Sequence, residues 1–152
     1  MKDFEEYFSE IQADMVSICL EYVENRADKV YIYASCEDGL ISSSFFYKIY
    51  NTYVESHKLN DAIGIEEGRY DVSTERQFAV LDIINEDIEK TKKLCEEYGK
   101  DMPTEFKFIY DIQKNSLKSE YKYDLVYSND PVKTADHIAM EWFEQIKSEN
   151  NN

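Results

Sequence analysis

The sequence predicts an α+β fold, an antiparallel β-sheet of about five strands with helices packed on one face, in the order α-β-β-β-α-β-β-α. Apolar residues recur at helical spacing in three stretches and alternate with polar ones in five others. The five alternating stretches fall into two hairpin groups separated by a helix and joined by short connections, which favours an antiparallel sheet over a parallel βαβ arrangement. With 152 residues, 43% of them hydrophobic, the chain fits one domain with a core of its own. Residues 1–147 are read as that single domain and 148–152 as a polar tail.

The first helix is marked by Phe4, Tyr7, Phe8, Ile11, Met15, Ile18, Cys19, Tyr22 and Val23 at three- and four-residue steps, and it is expected to end near Asn25-Arg26. Lys29 to Cys36 then switches to period two, with Val30, Ile32 and Ala34 on one face and Tyr31 and Tyr33 on the other. Glu37-Asp38-Gly39 is a hairpin signal. A second strand is expected over Leu40 to Tyr50, a turn at Asn51, and a shorter third strand over Thr52 to Leu59. Asn60 to Val72, with Gly64 and Gly68 among acids, reads as a loop. Ser73 or Asp71 is placed to cap a helix from about Thr74 to Tyr98, and Gly99 sits where its C-cap belongs. Beyond Pro103, alternation predicts strands over Glu105 to Ile112 and Leu117 to Val126 around a turn at Gln113 to Ser116. Asp130-Pro131 has the form of a helix start, followed by Ala135, Ile138, Ala139, Trp142, Phe143 and Ile146 on one stripe.

The charge is the most informative bulk property. A formal net charge of −15 repels nucleic acid and anionic membranes and speeds encounter with a basic partner. Thirteen tyrosines and eight phenylalanines set the chain apart from a disordered acidic tail. No apolar run approaches the length of a membrane span, and the acidic start lacks the order of a signal peptide, so a cytoplasmic location is expected. Cys19, Cys36 and Cys95 are widely spaced and form neither a disulfide framework nor a zinc pattern.

Little in the sequence points to catalysis. Four scattered glycines build no phosphate loop. The two histidines, His57 and His137, lie in polar surroundings, and paired acids such as Glu66-Glu67 and Asp136 with Glu141 are unremarkable at this density of carboxylates. No catalytic, cofactor-binding or metal-binding residue is singled out. The tyrosines are more suggestive, because tyrosine contributes large contact area and a hydrogen bond at low entropic cost. Candidate partner-binding residues are the acidic loop Glu66, Glu67, Tyr70 and Asp71, and the outward positions Glu120 and Asp124 of the last strand. Tyr31 and Tyr33 join them if their face of the sheet is open.

Three stretches together resemble bacterial immunity proteins of the YezG type, small antitoxins that neutralise secreted polymorphic toxins. They are KVYIYAS (Lys29 to Ser35) after an amphipathic helix, FFYKI (Phe45 to Ile49), and MPTEFKFIYDIQKNSLKSEYKYDL (Met102 to Leu125). The last is similar to that family's proline-threonine strand, turn, and strand ending in an aromatic-x-aromatic-acid step, here Tyr121, Tyr123 and Asp124. The chain departs from the family pattern at Asn25 to Asp28, where a proline-tryptophan step is usual, and at Met102, where a tryptophan is usual. The resemblance implies an immunity protein that is not an enzyme, needs no cofactor, and neutralises a cognate toxin by stoichiometric binding. The toxin would be a basic nuclease domain. A non-toxin adaptor domain and a carboxylate- or metal-dependent enzyme stand as alternatives.

Overall fold

A computed structural model describes residues 3–64 and 66–150, so expectations that fall on Met1, Lys2, Ile65, Asn151 and Asn152 lie outside the described residues. Helix α1 (Phe4–Tyr22) begins at Asp3, whose carboxylate accepts the Glu6 N–H at 2.9 Å, while Glu5 and Glu6 complement the helix dipole. It ends in a turn in which Glu24 and Asn25 both adopt positive φ. Strands β1 (Lys29–Glu37), β2 (Leu40–Ile49) and β3 (Thr52–Glu55) follow, then two kinked 3-10 turns over Ser56–Ala62. Helix α2 (Thr74–Tyr98) starts at Ser73 and stops at Gly99, whose φ of 65° only glycine adopts without cost. Strands β4 (Glu105–Asp111) and β5 (Ser116–Lys122) and helix α3 (Ala135–Asn150) complete the chain.

The fold is α+β and the elements come in the expected order. The five strands pair antiparallel throughout as β3-β2-β1-β4-β5. One face carries Val30, Ile32, Ala34, Phe45, Tyr47, Phe106 and Phe108 against Met15, Val16 and Cys19 of α1 and Val80, Ile84 and Ile88 of α2.

The expectation that all helices share one face is corrected. Helix α3 packs on the opposite face, where Ile138, Ala139, Trp142 and Phe143 cover Tyr31, Tyr33, Phe46 and Tyr53. Central strand β1 is therefore buried on both sides. Tyrosine alternation marks two faces without saying which is covered, because the residue is at home in a core or at a wet boundary.

Other boundaries move for local reasons. The third strand stops at Glu55, not Leu59. Leu59 is five residues past Val54, so in a continuing strand it would point to the opposite face; the 3-10 turns bring both into the same core cluster. Strand β5 ends at Lys122, short of Val126. There Glu37, 1% exposed at the end of β1, accepts N–H bonds from Val126 (2.9 Å), Tyr127 (3.4 Å) and Ser128 (3.0 Å) and draws the chain off the sheet. Asp130 caps a turn by accepting the N–H groups of Val132 and Lys133, and α3 begins only at Ala135. Its start is a reciprocal cap in which Thr134 Oγ1 accepts the His137 N–H and His137 Nδ1 accepts the Thr134 N–H. The helix continues through Asn150, so Ser148 to Asn150 of the expected polar tail are helical.

Candidate partner-binding surface

The acidic loop between the 3-10 turns and α2 is held by its own residues. Asn60 closes it with two bonds to the Tyr70 backbone, its Nδ2 donating to the Tyr70 carbonyl at 3.1 Å and its Oδ1 accepting the Tyr70 N–H at 2.9 Å. The Tyr70 ring is only 4% exposed and lies beneath the Arg26 guanidinium, 4.2 Å from its centroid, while its hydroxyl donates to the Arg26 carbonyl. Tyr70 is thus the anchor of the loop and offers almost no surface to a partner. Glu66 and Asp71 are exposed and Glu67 is half-buried. Asp71 also accepts the Ser73 N–H at 3.0 Å, and this bond, with one from the Ser73 side chain, holds its carboxyl below the usual range.

Beside the loop stands Tyr50, expected at the end of the second strand. Tyr50 and Asn51 form the two-residue turn between β2 and β3, with φ of 50° and 64°. That backbone suits a right-twisted hairpin, and asparagine or glycine adopts it far more readily than tyrosine. Tyr50 is nevertheless there, 64% exposed, with the Glu67 carboxylate beside its hydroxyl raising the hydroxyl's pKa. Glu24 acts on Tyr70, and Asp28 on Tyr50, through space. Glu24, Asp28 and Glu67 thus act on one arginine-stacked tyrosine and one projecting aromatic ring, and Glu66 and Asp71 belong to the same loop. Tyr50→Asn should stabilise the fold by about 0.5 kcal/mol, because asparagine tolerates the left-handed conformation. A chemical-denaturation midpoint that falls instead would show that tyrosine is there for the fold.

The other expected residues do not join this patch. Strands β3 and β5 are the two opposite edges of the sheet. Glu120 pairs in register with Lys107 on the β5 side and lines a hollow of about 170 Å³ with Trp142 and Gln145. Asp124 is exposed just beyond β5, and its carbonyl accepts the Thr104 hydroxyl at 2.6 Å. Tyr31 and Tyr33 are 3% and 1% exposed, so the condition for including them fails. Tyr31 stacks on Phe46 at 4.5 Å, and the Tyr33 hydroxyl donates to the buried Glu105 carboxylate at 2.9 Å. Burial first, then the Glu105 charge, pushes the Tyr33 hydroxyl pKa up.

A hollow of about 490 Å³ lies between the start of α1, the end of α2 and β5, and is walled by Phe4, Phe8, Tyr121 and Tyr123. Cys19, Cys36 and Cys95 are free and buried, and burial raises each thiol. Among the described residues, no three His, Cys, Asp or Glu side chains gather to hold a metal ion, and no helix is long and apolar enough to cross a membrane. Two candidate residues outside the expected partner-binding set stand out in the structure: Tyr50, visible as a non-glycine in a two-residue turn, and Asp87. Asp87 falls on the apolar stripe of α2 between Ile84 and Ile88, and that position was its signal. No protein-family model and no curated protein sequence matches this chain.

Proposed function

We propose that this chain is a stoichiometric inhibitor, an immunity protein of the YezG type that binds a basic toxin domain, a nuclease in the favoured case, and blocks it without turnover. The observation that carries the reading is the acidic patch around Tyr50. It combines an exposed aromatic on a conformation that costs stability with a rim of carboxylates held by a pinned loop. A binding surface needs an aromatic anchor and charges matched to its partner. A nuclease site is basic because it holds phosphates, so an acidic protein can occupy it as a polyanion. The net charge of −15 speeds capture, which matters when the free toxin is lethal.

The test is to isolate the tagged protein from its own cells at low salt and identify what remains bound. A single basic domain released only by denaturant supports the reading; a non-toxin partner favours an adaptor. Reversing both charges, Glu66→Lys with Glu67→Lys, should weaken binding of that domain roughly tenfold or more, while the melting temperature moves by less than about 2 °C. Unchanged affinity would remove the loop from the interface.

A further inference from the structure

Helices α1 and α2 run side by side on one face of the sheet, and a groove of about 420 Å³ opens between them. Its walls are apolar at Ile11 and Leu94, and Glu10, Asp14, Asp87 and Glu97 line it against Lys90 and Lys93. Asp87 is the unusual member. Its side chain is 2% exposed, and its Oδ2 receives no hydrogen bond from any donor among the described residues. Lys90 approaches Oδ1 at 3.7 Å with its own side chain 64% exposed, a contact made from solvent at more than hydrogen-bond distance. The neighbour of Asp87 across the helix interface is the Asp14 carboxylate. Two carboxylates bond to each other only by sharing a proton.

A buried carboxylate held only by an exposed lysine beyond hydrogen-bond distance and by a second carboxylate costs stability, and an asparagine or leucine in the same place would not bear that cost. Groups that weaken a fold in this way belong to sites where something else supplies the partner. We infer that the α1–α2 groove receives a basic side chain of a protein partner, its aliphatic stem against Ile11 and Leu94 and its cationic head between Asp14 and Asp87. The inference rests on the reading of the chain as a binder of a basic domain and places a second contact of that interaction outside the Tyr50 patch. Arginine fits best, since its planar fork satisfies two carboxylates at once.

Proton and cation compete for this pair. Burial, then the bond and charge of Asp14, raise the Asp87 carboxyl to about 7, with Glu86 adding to the rise and Lys90 opposing it. Tyr7, Glu10 and Asp14 of α1, and Glu86, Lys90, Lys93 and Glu97 of α2, are the titratable groups around the groove. Because the folded carboxyl holds its proton more tightly than the unfolded one, the contribution of Asp87 to stability is most favourable at low pH and falls as pH rises from about 4 through about 7. Asp87→Asn removes that slope. At pH 7.5 the variant should melt a few degrees higher than the native chain, and yet bind the basic domain about tenfold more weakly. A residue kept only for packing would not move the two in opposite directions.

The direct test is an NMR titration of the full chain, with carbonyl-labelled aspartates, using N-acetyl-arginine N-methylamide as probe and the citrulline analogue as neutral control at matched ionic strength. The arginine probe should shift Asp14 and Asp87 saturably and lower the Asp87 titration midpoint; citrulline and the Asp87→Asn variant should give no such response. No saturable shift, or an equal one with citrulline, overturns the inference. So does full affinity of Asp87→Asn for a domain that the native chain neutralises, which would leave the immunity reading intact. A chain that neutralises nothing would sink that reading, while the probe still decides the groove.

Discussion

Glu37→Ala should lower stability by about 3 kcal/mol, a fall in melting temperature on the order of 10 °C for a chain of this size. Three backbone N–H groups, of Val126, Tyr127 and Ser128, converge on this one buried carboxylate, and the substitution removes the acceptor that all three share. Burial acts to raise the Glu37 carboxyl, but the hydrogen bonds from Ser128, Val126 and Tyr127 outweigh it and hold it below its usual range. Its contribution is accordingly complete at neutral pH and is lost only as pH falls below about 4. Glu37→Gln, which keeps one acceptor oxygen and no charge, should lose roughly half as much. Denaturant melts of the two variants at pH 7 and pH 3.5 would check the account. Equal stabilities of native and variant chains at pH 7 would show that the carboxylate does not pin the segment leading to α3.

Trp142→Ala should cost about 3–5 kcal/mol, and the damage should be confined to one side of the sheet. The indole packs at 5.2 Å from Phe46, 5.9 Å from Tyr31 and 6.4 Å from Tyr33, and it is 5% exposed. Its cluster is separate from the one formed with α1 and α2. Hydrogen exchange of the variant should therefore show α3 amides losing protection while those of α2 keep theirs. Uniform loss across both helices would mean that the two faces unfold as one unit. Trp142→Phe, which retains most of the buried area, should cost about 1–2 kcal/mol.

What could be read in advance divides along physical lines. Periodicity marked the five strands and three α-helices but not the 3-10 turns, because apolar spacing follows the faces that meet a core, and the Asp-Gly and Gly99 signals marked turns whose backbone needs positive φ. The second covered face escaped notice since its tyrosines satisfy core and surface patterns equally, and nothing in the chain order says where α3 lands. Asp130-Pro131 was a genuine cap spent on a turn four residues early, and the true cap, Thr134 with His137, follows a less familiar pairing. At the candidate site, Glu66 and Asp71 are on the surface as expected and Glu67 partly so. Tyr70 looked like a contact residue and serves as an anchor, because its partner Arg26 is remote in sequence. Glu120 and Asp124 lie on the β5 side of the sheet, away from the β3 edge, a separation fixed by strand order and invisible to composition.

The most direct measurement of the central claim is growth. The basic domain captured from the protein's own cells is expressed in a host that lacks this chain, alone and together with it. Arrest by the domain alone, relieved by an equal amount of this chain in a one-to-one complex with its covalent structure unchanged, is the predicted result. A domain that does not harm the host, or arrest that persists when the chain is bound, would contradict it.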